Sequence, residues 1–171
     1  VDTYFFPDAS SRAYIDHGFR AQVCLPVIQF ANAWASSEEN HIHKALPVHD
    51  EIKNKGLITT AFAPHAPYTV TDEGFRLIRM YADQLEIPIH LHLHETASEV
   101  SMAIASDNQR PFERMLALGI VTPALQTVHM TQLLPEEIRQ LAAHGVHVVH
   151  CPESNLKLAS GFCPVGALIA A

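Results

Sequence analysis

Ile87-Pro88-Ile89-His90-Leu91-His92-Leu93-His94-Glu95 is the stretch that decides how this chain of 171 residues folds. Histidine and aliphatic residues alternate through it. In an extended strand, successive side chains point to opposite faces, so His90, His92 and His94 are expected on one face and Ile89, Leu91 and Leu93 on the other. The aliphatic face would meet helices. The imidazole face would line an interior, with His92 and His94 near its mouth. Three neutral imidazoles are costly in apolar surroundings unless each finds a partner. A metal ion is one such partner, since imidazole nitrogen suits zinc, iron and nickel.

Outward from this strand, the same kind of unit repeats. Apolar runs at Gln22–Phe30, Leu57–Ala63, Gln126–Met130 and Val146–Cys151 read as further strands. Helices are expected at Asp8–His17, Ser36–Lys55, Asp72–Leu85, Arg110–Leu118, Pro135–His144 and Val165–Ala170. Asp8 and Thr71 are suited to N-caps, and Pro135 to a first helical turn, with Glu136 and Glu137 favouring the positive end of the helix dipole. Gly56, Gly119 and Gly145 each follow a helix, where a left-handed C-cap is wanted. Leu77, Ile78, Tyr81 and Leu85 form the apolar stripe of a helix lying on a sheet. Strands alternating with helices imply an α/β fold with a parallel sheet. Five strand–helix units do not close a barrel, which typically needs about 250 residues, so the expectation is part of one.

The histidines support that choice. Four of the five strands carry one at or near the C-terminal end: His65, the His92/His94 pair, His129 and His150. In barrels that edge is where active sites are built. His17, His41, His43, His49 and His144 fall on predicted helices and are expected in solvent; His147 is expected to be structural, facing away from His150.

Composition narrows the function. Eleven basic against eighteen acidic residues give a formal charge of −7, the wrong sign for tracking nucleic-acid phosphates. Three cysteines, Cys24, Cys151 and Cys163, form no CxxC pair and read as reduced thiols of a cytoplasmic protein. No apolar run approaches the roughly 18 residues of a membrane span. No GxGxxG or GxxxxGK[ST] loop cradles phosphate, no HExxH is present, and no G-x-S-x-G elbow supplies a nucleophilic serine. The H-x-E…P-C-x-x-C pattern of the small cytidine-type deaminases is missing. Cys151 follows His150, but strand neighbours point to opposite faces, which disfavours a dyad.

Four segments together resemble the amidohydrolase superfamily: Ala63-Pro64-His65-Ala66-Pro67-Tyr68, His92-Leu93-His94-Glu95-Thr96, Val128-His129-Met130, and His150-Cys151-Pro152-Glu153-Ser154-Asn155-Leu156-Lys157-Leu158. They are most similar to its 5-methylthioadenosine/S-adenosylhomocysteine deaminase branch, which is often grouped with the triazine hydrolases. The resemblance implies that residues 1–171 are a partial (β/α)8 TIM barrel covering roughly strands three to seven, truncated at both ends. It matches His92 with a metal ligand, most simply for one zinc ion, with iron as the alternative. It matches Glu95 with the proton-donating, substrate-contacting glutamate, His129 with the histidine that orients the attacking water, and His65 with a substrate contact. His150 and Asn155 fall where only a supporting role is assigned. A His-x-His pair of the first strand and an aspartate of the eighth have no match here.

The implied activity is hydrolytic deamination of a purine nucleoside, amino to oxo, with release of ammonia. A small-molecule substrate, no nucleic acid, no membrane and a homo-oligomer go with it. Hydrolysis of a triazine, deamination of guanine or cytosine, and a non-catalytic fragment lacking the remaining ligands are the alternatives.

Overall fold

The computed structural model describes residues 1–171. Five strands alternate with helices: α1 (Pro7–Asp16), β1 (Ala21–Val27), α2 (Glu38–Ile52), β2 (Ile58–Pro64), α3 (Asp72–Leu85), β3 (Ile89–Leu93), α4 (Ala97–Asp107), α5 (Pro111–Ala117), β4 (Leu125–His129), α6 (Pro135–Ala143), β5 (His147–Val149), α7 (Pro152–Lys157) and α8 (Val165–Ala170). The strands hydrogen-bond in chain order, β1-β2-β3-β4-β5. The β1–β2, β2–β3 and β4–β5 pairs run parallel. No helix is long and apolar enough to cross a membrane. The chain divides into two compact units, residues 1–65 with 69–90, and residues 66–68 with 91–171.

In the first unit, β1 and β2 pair from Ala21↔Ile58 to Val27↔Pro64. Val23, Leu25, Ala61 and Phe62 are all buried, the near-continuous burial of a parallel strand covered on both faces. Ser37 caps α2 by accepting from the Asn40 N–H at 3.2 Å, and Thr71 caps α3 by accepting from the Gly74 N–H at 3.0 Å. The Glu38 carboxylate accepts from the Thr71 N–H at 2.8 Å and from its hydroxyl at 2.5 Å, tying the two helix starts together. A Cβ on Gly74 would displace that carboxylate, so glycine lets the Glu38 side chain lie against the start of α3. Phe75, Ile78 and Ala82 form the buried stripe of α3, with Leu77, Tyr81 and Leu85 half-buried beside it.

Several local expectations are corrected. α1 starts at Pro7 with Phe6 as N-cap, which leaves Asp8 inside the first turn. Gly119 and Gly145 do adopt positive φ, but Gly56 does not. α4 and α7 were missing from the sequence reading. α4 has a weak apolar stripe, Ala-Ser-Glu-Val-Ser-Met-Ala-Ile-Ala-Ser-Asp, and α7 spans six residues. β5 is shorter than expected, at three residues.

Two histidines expected in solvent are buried, His41 fully and His49 nearly so. His41 Nδ1 meets the Ser37 carbonyl at 2.8 Å, and its Nε2 meets the Asn32 amide at 3.0 Å. That arrangement is satisfied by a neutral ring donating from Nδ1 and accepting at Nε2. His49 Nδ1 lies 2.7 Å from the Thr60 hydroxyl. Burial pushes both pKa values below the usual histidine range. The unfolded chain therefore takes up protons that the folded chain refuses once pH drops below about 6.5. Stability should be full above that pH and decline below it. Chemical denaturation at pH 7.5 and 5.5 should show a lower midpoint at 5.5, with a smaller drop in His41→Gln; equal midpoints would contradict the buried neutral state. His17, His43, His144 and His147 are exposed, so His147 has no structural burial to account for.

Candidate active site

The second unit brings three of the expected residues together. His92, half-buried near the end of β3, stacks its ring on that of His129 at the end of β4, with centroids 5.5 Å apart and planes 29° apart. His129 Nε2 lies 3.5 Å from Glu95 Oε1. His129 Nδ1 lies 3.1 Å from the Asn155 side-chain nitrogen, which α7 supplies. With the Asn155 amide donating to Nδ1, the ring proton sits on Nε2 and faces the Glu95 carboxylate. Burial pushes the His129 pKa below the usual range; the Glu95 charge opposes this and His92 reinforces it.

The backbone at this edge is unusual. His94, His129 and Met130 have φ of 52°, 76° and 50°, left-handed values uncommon for residues with a side chain. Such strain persists only where surrounding contacts over-determine it, and it clusters at functional sites. Here the contacts are plain. The Met130 N–H donates to the Leu93 carbonyl at 3.2 Å and the Thr131 N–H to the His94 carbonyl at 3.0 Å. The Thr131 hydroxyl lies 2.7 Å from the Glu95 carbonyl.

The turn at His94 removes that residue from the imidazole face. Its ring is fully buried on the helical side, where Nε2 accepts from the Phe112 N–H of α5 at 3.2 Å. Nδ1 sits 3.7 Å from Glu137 Oε2 on α6. Burial depresses its pKa to about 4, so the ring is neutral at physiological pH. Glu137 is itself clamped. Arg110 donates to both of its oxygens, at 2.6 and 3.0 Å, and the Leu134 N–H donates at 2.8 Å. His94 is thus a packing residue that joins β3 to α5 and α6, contrary to the expectation from strict alternation.

His65 follows β2 in the first unit, with Nδ1 3.1 Å from the Thr69 hydroxyl. His90 is buried within β3. His150 is exposed and lines an apolar groove with Ile138, Leu141, Val148 and Ile169. Cys151 caps the start of α7 and is a poor nucleophile, since burial and then the Glu95 charge push its thiol up. Two residues that sequence reading passed over belong to the site. Glu99 is buried, and its carboxylate accepts from the His94 N–H at 3.0 Å and the Glu95 N–H at 2.8 Å. Its signal was present as Thr96-Ala97-Ser98-Glu99, the spacing of a helix-capping box. Tyr68 is the other; burial and then the charges of Glu99 and Glu95 raise its phenol pKa.

A parallel α/β sheet with histidines and a glutamate gathered at the carboxyl ends of its strands defines a hydrolase-type barrel edge. The chain matches the Amidohydrolase family over residues 2–171 and belongs to it. Its fold is accordingly part of a (β/α)8 TIM barrel. It is 50% identical over 167 residues to a 5-methylthioadenosine/S-adenosylhomocysteine deaminase of Saccharophagus degradans, covering 98% of this chain and 37% of that protein. The crystal structure of an adenosine deaminase from Xanthomonas campestris with bound zinc superimposes with a TM-score of 0.97 at 54% identity, over 99% of this chain and 38% of that one. A triazine hydrolase from Arthrobacter aurescens shares the fold, with a TM-score of 0.89 at 17% identity over 99% of this chain and 40% of that one. The chain therefore spans well under half the length of these proteins.

Proposed function

We propose that this chain forms the strand-three-to-seven part of a hydrolytic deaminase of adenosine derivatives, such as 5'-methylthioadenosine or S-adenosylhomocysteine. The observation that carries the reading is the Glu95–His129 pair, a carboxyl group and an imidazole 3.5 Å apart on adjacent strand ends. Water adds at the amino-bearing ring carbon, Glu95 delivers a proton to the adjacent ring nitrogen, and ammonia leaves as the oxo product forms. His129 holds the attacking water and the developing oxygen through Nε2, with Asn155 fixing the ring from the other side. His65 contacts the substrate. The protein acts in the cytoplasm, as a homo-oligomer, on a small molecule.

The residues of this chain do not complete a metal site by themselves. Nowhere do three His, Cys, Asp or Glu side chains come together as ligands, whereas a catalytic zinc takes three protein ligands and a water. The half-buried His92 imidazole fits one of those positions. One divalent ion, zinc in preference to iron, supplies a water acidic enough to be hydroxide near neutral pH. His92→Ala should strip most of the metal from the natural protein that carries this sequence, as read by elemental analysis. Equal metal content would shift the ligand to His90.

The reading is tested by ammonia release from a panel comprising adenosine, 5'-methylthioadenosine, S-adenosylhomocysteine, guanine, cytosine and an aminotriazine. Turnover should be highest on the adenosine derivatives. Preference for guanine, cytosine or the triazine would replace the substrate class, and no turnover on any would favour a non-catalytic role.

A further inference from the structure

Glu95 sits just past a kink, one residue beyond the left-handed His94. No strand ladder holds it, and its own side chain is about a quarter exposed. Its backbone is held instead by side chains. The Glu99 carboxylate, buried at the first turn of α4, spends one oxygen on the His94 N–H and the other on the Glu95 N–H. On the opposite side of the same peptide segment, the Thr131 hydroxyl meets the Glu95 carbonyl, and the Thr131 N–H meets the His94 carbonyl. Thr96 accepts from the Glu99 N–H at 3.1 Å, so the residue that anchors Glu95 is anchored by the cap of the same helix.

We infer that Glu99 is a positioning residue for Glu95, its two carboxylate oxygens clamping the His94 and Glu95 amides so that the acid meets the substrate ring nitrogen. The inference rests on reading Glu95 as the proton donor. An acid must come within roughly 2.6–3.2 Å of the atom it protonates, and a misplacement of about 1 Å can cost on the order of a hundredfold in rate. A carboxylate is required for the clamp, because both of its oxygens accept. A glutamine would turn an NH2 group toward one of the two backbone donors, leaving that N–H unpaired. Glu99 does not touch the substrate in this reading; it acts through Glu95.

The test is Glu99→Gln in the natural protein that carries this sequence, with two independent readouts. Amide hydrogen exchange at His94 and Glu95 should accelerate at least tenfold, while β4 amides keep their protection. Turnover should fall about ten- to a hundredfold in kcat, with KM within twofold and metal content unchanged. Thr131→Val, which removes the hydroxyl on the other side of the clamp without changing side-chain size, should lower kcat in the same way; Thr131→Ser should restore it. This pair keeps the test decisive if Glu99→Gln does not fold. Unchanged exchange at the two amides, or a KM rise with kcat intact, overturns the inference. If the unmodified protein deaminates none of the adenosine derivatives, the deaminase reading fails, while accelerated exchange still upholds the clamp and unaltered exchange still overturns it.

Discussion

Glu95→Gln should abolish deamination, with a loss of at least about a thousandfold in kcat, while the metal stays bound. Removing a positioned general acid typically costs about 10²–10⁴-fold, and here the same group also faces His129, the residue proposed to hold the water. Glutamine keeps the shape and the hydrogen-bonding reach of the side chain and removes the transferable proton. His92, the residue assigned to the metal, stacks on His129, and glutamine leaves the side-chain shape beside that ring unchanged, so metal retention is expected alongside the lost turnover. Steady-state kinetics on 5'-methylthioadenosine, with elemental analysis of the same sample, measures both. Near-normal turnover in the variant would remove Glu95 from the role of acid; loss of the metal as well would make it a ligand.

The largest effect on stability should come from Glu137→Ala. Glu137 is nine-tenths buried, and three groups make four contacts with it: the Arg110 guanidinium two, the Leu134 N–H one and the neutral His94 ring one. Breaking a buried pair by removing one partner costs about 3–5 kcal/mol, because the other charge is left without compensation. The Arg110 side chain is 21% exposed and also donates to the Gln132 carbonyl, so it can recover part of its hydration, which places the expected loss near 3 kcal/mol. Denaturant unfolding of the variant and its parent measures it. A difference under about 1 kcal/mol would mean that the cluster behaves like a surface pair.

These residues show where sequence reading reached and where it stopped. Alternating apolar runs and helix signals were enough for the α/β class with a parallel sheet, because burial of a parallel strand on both faces leaves a continuous apolar run that needs no partner to be recognised. The histidines at strand ends could be placed on one edge of the sheet from sequence, because the C-terminal end of a strand is a position in sequence as well as in space. The buried His41 and His49 were misplaced because a helix position is solvent-facing or not according to what packs on it. Both lie on the face of α2 that buries Ile42, Ala45, Val48 and Ile52, and their rings find polar partners in Asn32, the helix cap Ser37 and Thr60 of β2.

The alternation His90-His92-His94 failed at its last member. Strict alternation holds while the chain remains extended, and His94 turns left-handed as it leaves β3, which sends its ring to the helices. That turn is held by Glu99 and Thr131, one from the following helix and one from the turn after β4, and no local pattern announces a bond between residues 36 apart. Sequence by itself determined the family, the fold class and the residue types at the histidine-bearing edge of the sheet, because these rest on short-range pattern and on motifs in order. Only tertiary structure decided which histidines face one another, that Asn155 and Glu95 flank the same ring, and that His94 serves packing. Those outcomes depend on strain at strand ends and on side chains from distant elements, whose energies are settled only when the elements come together.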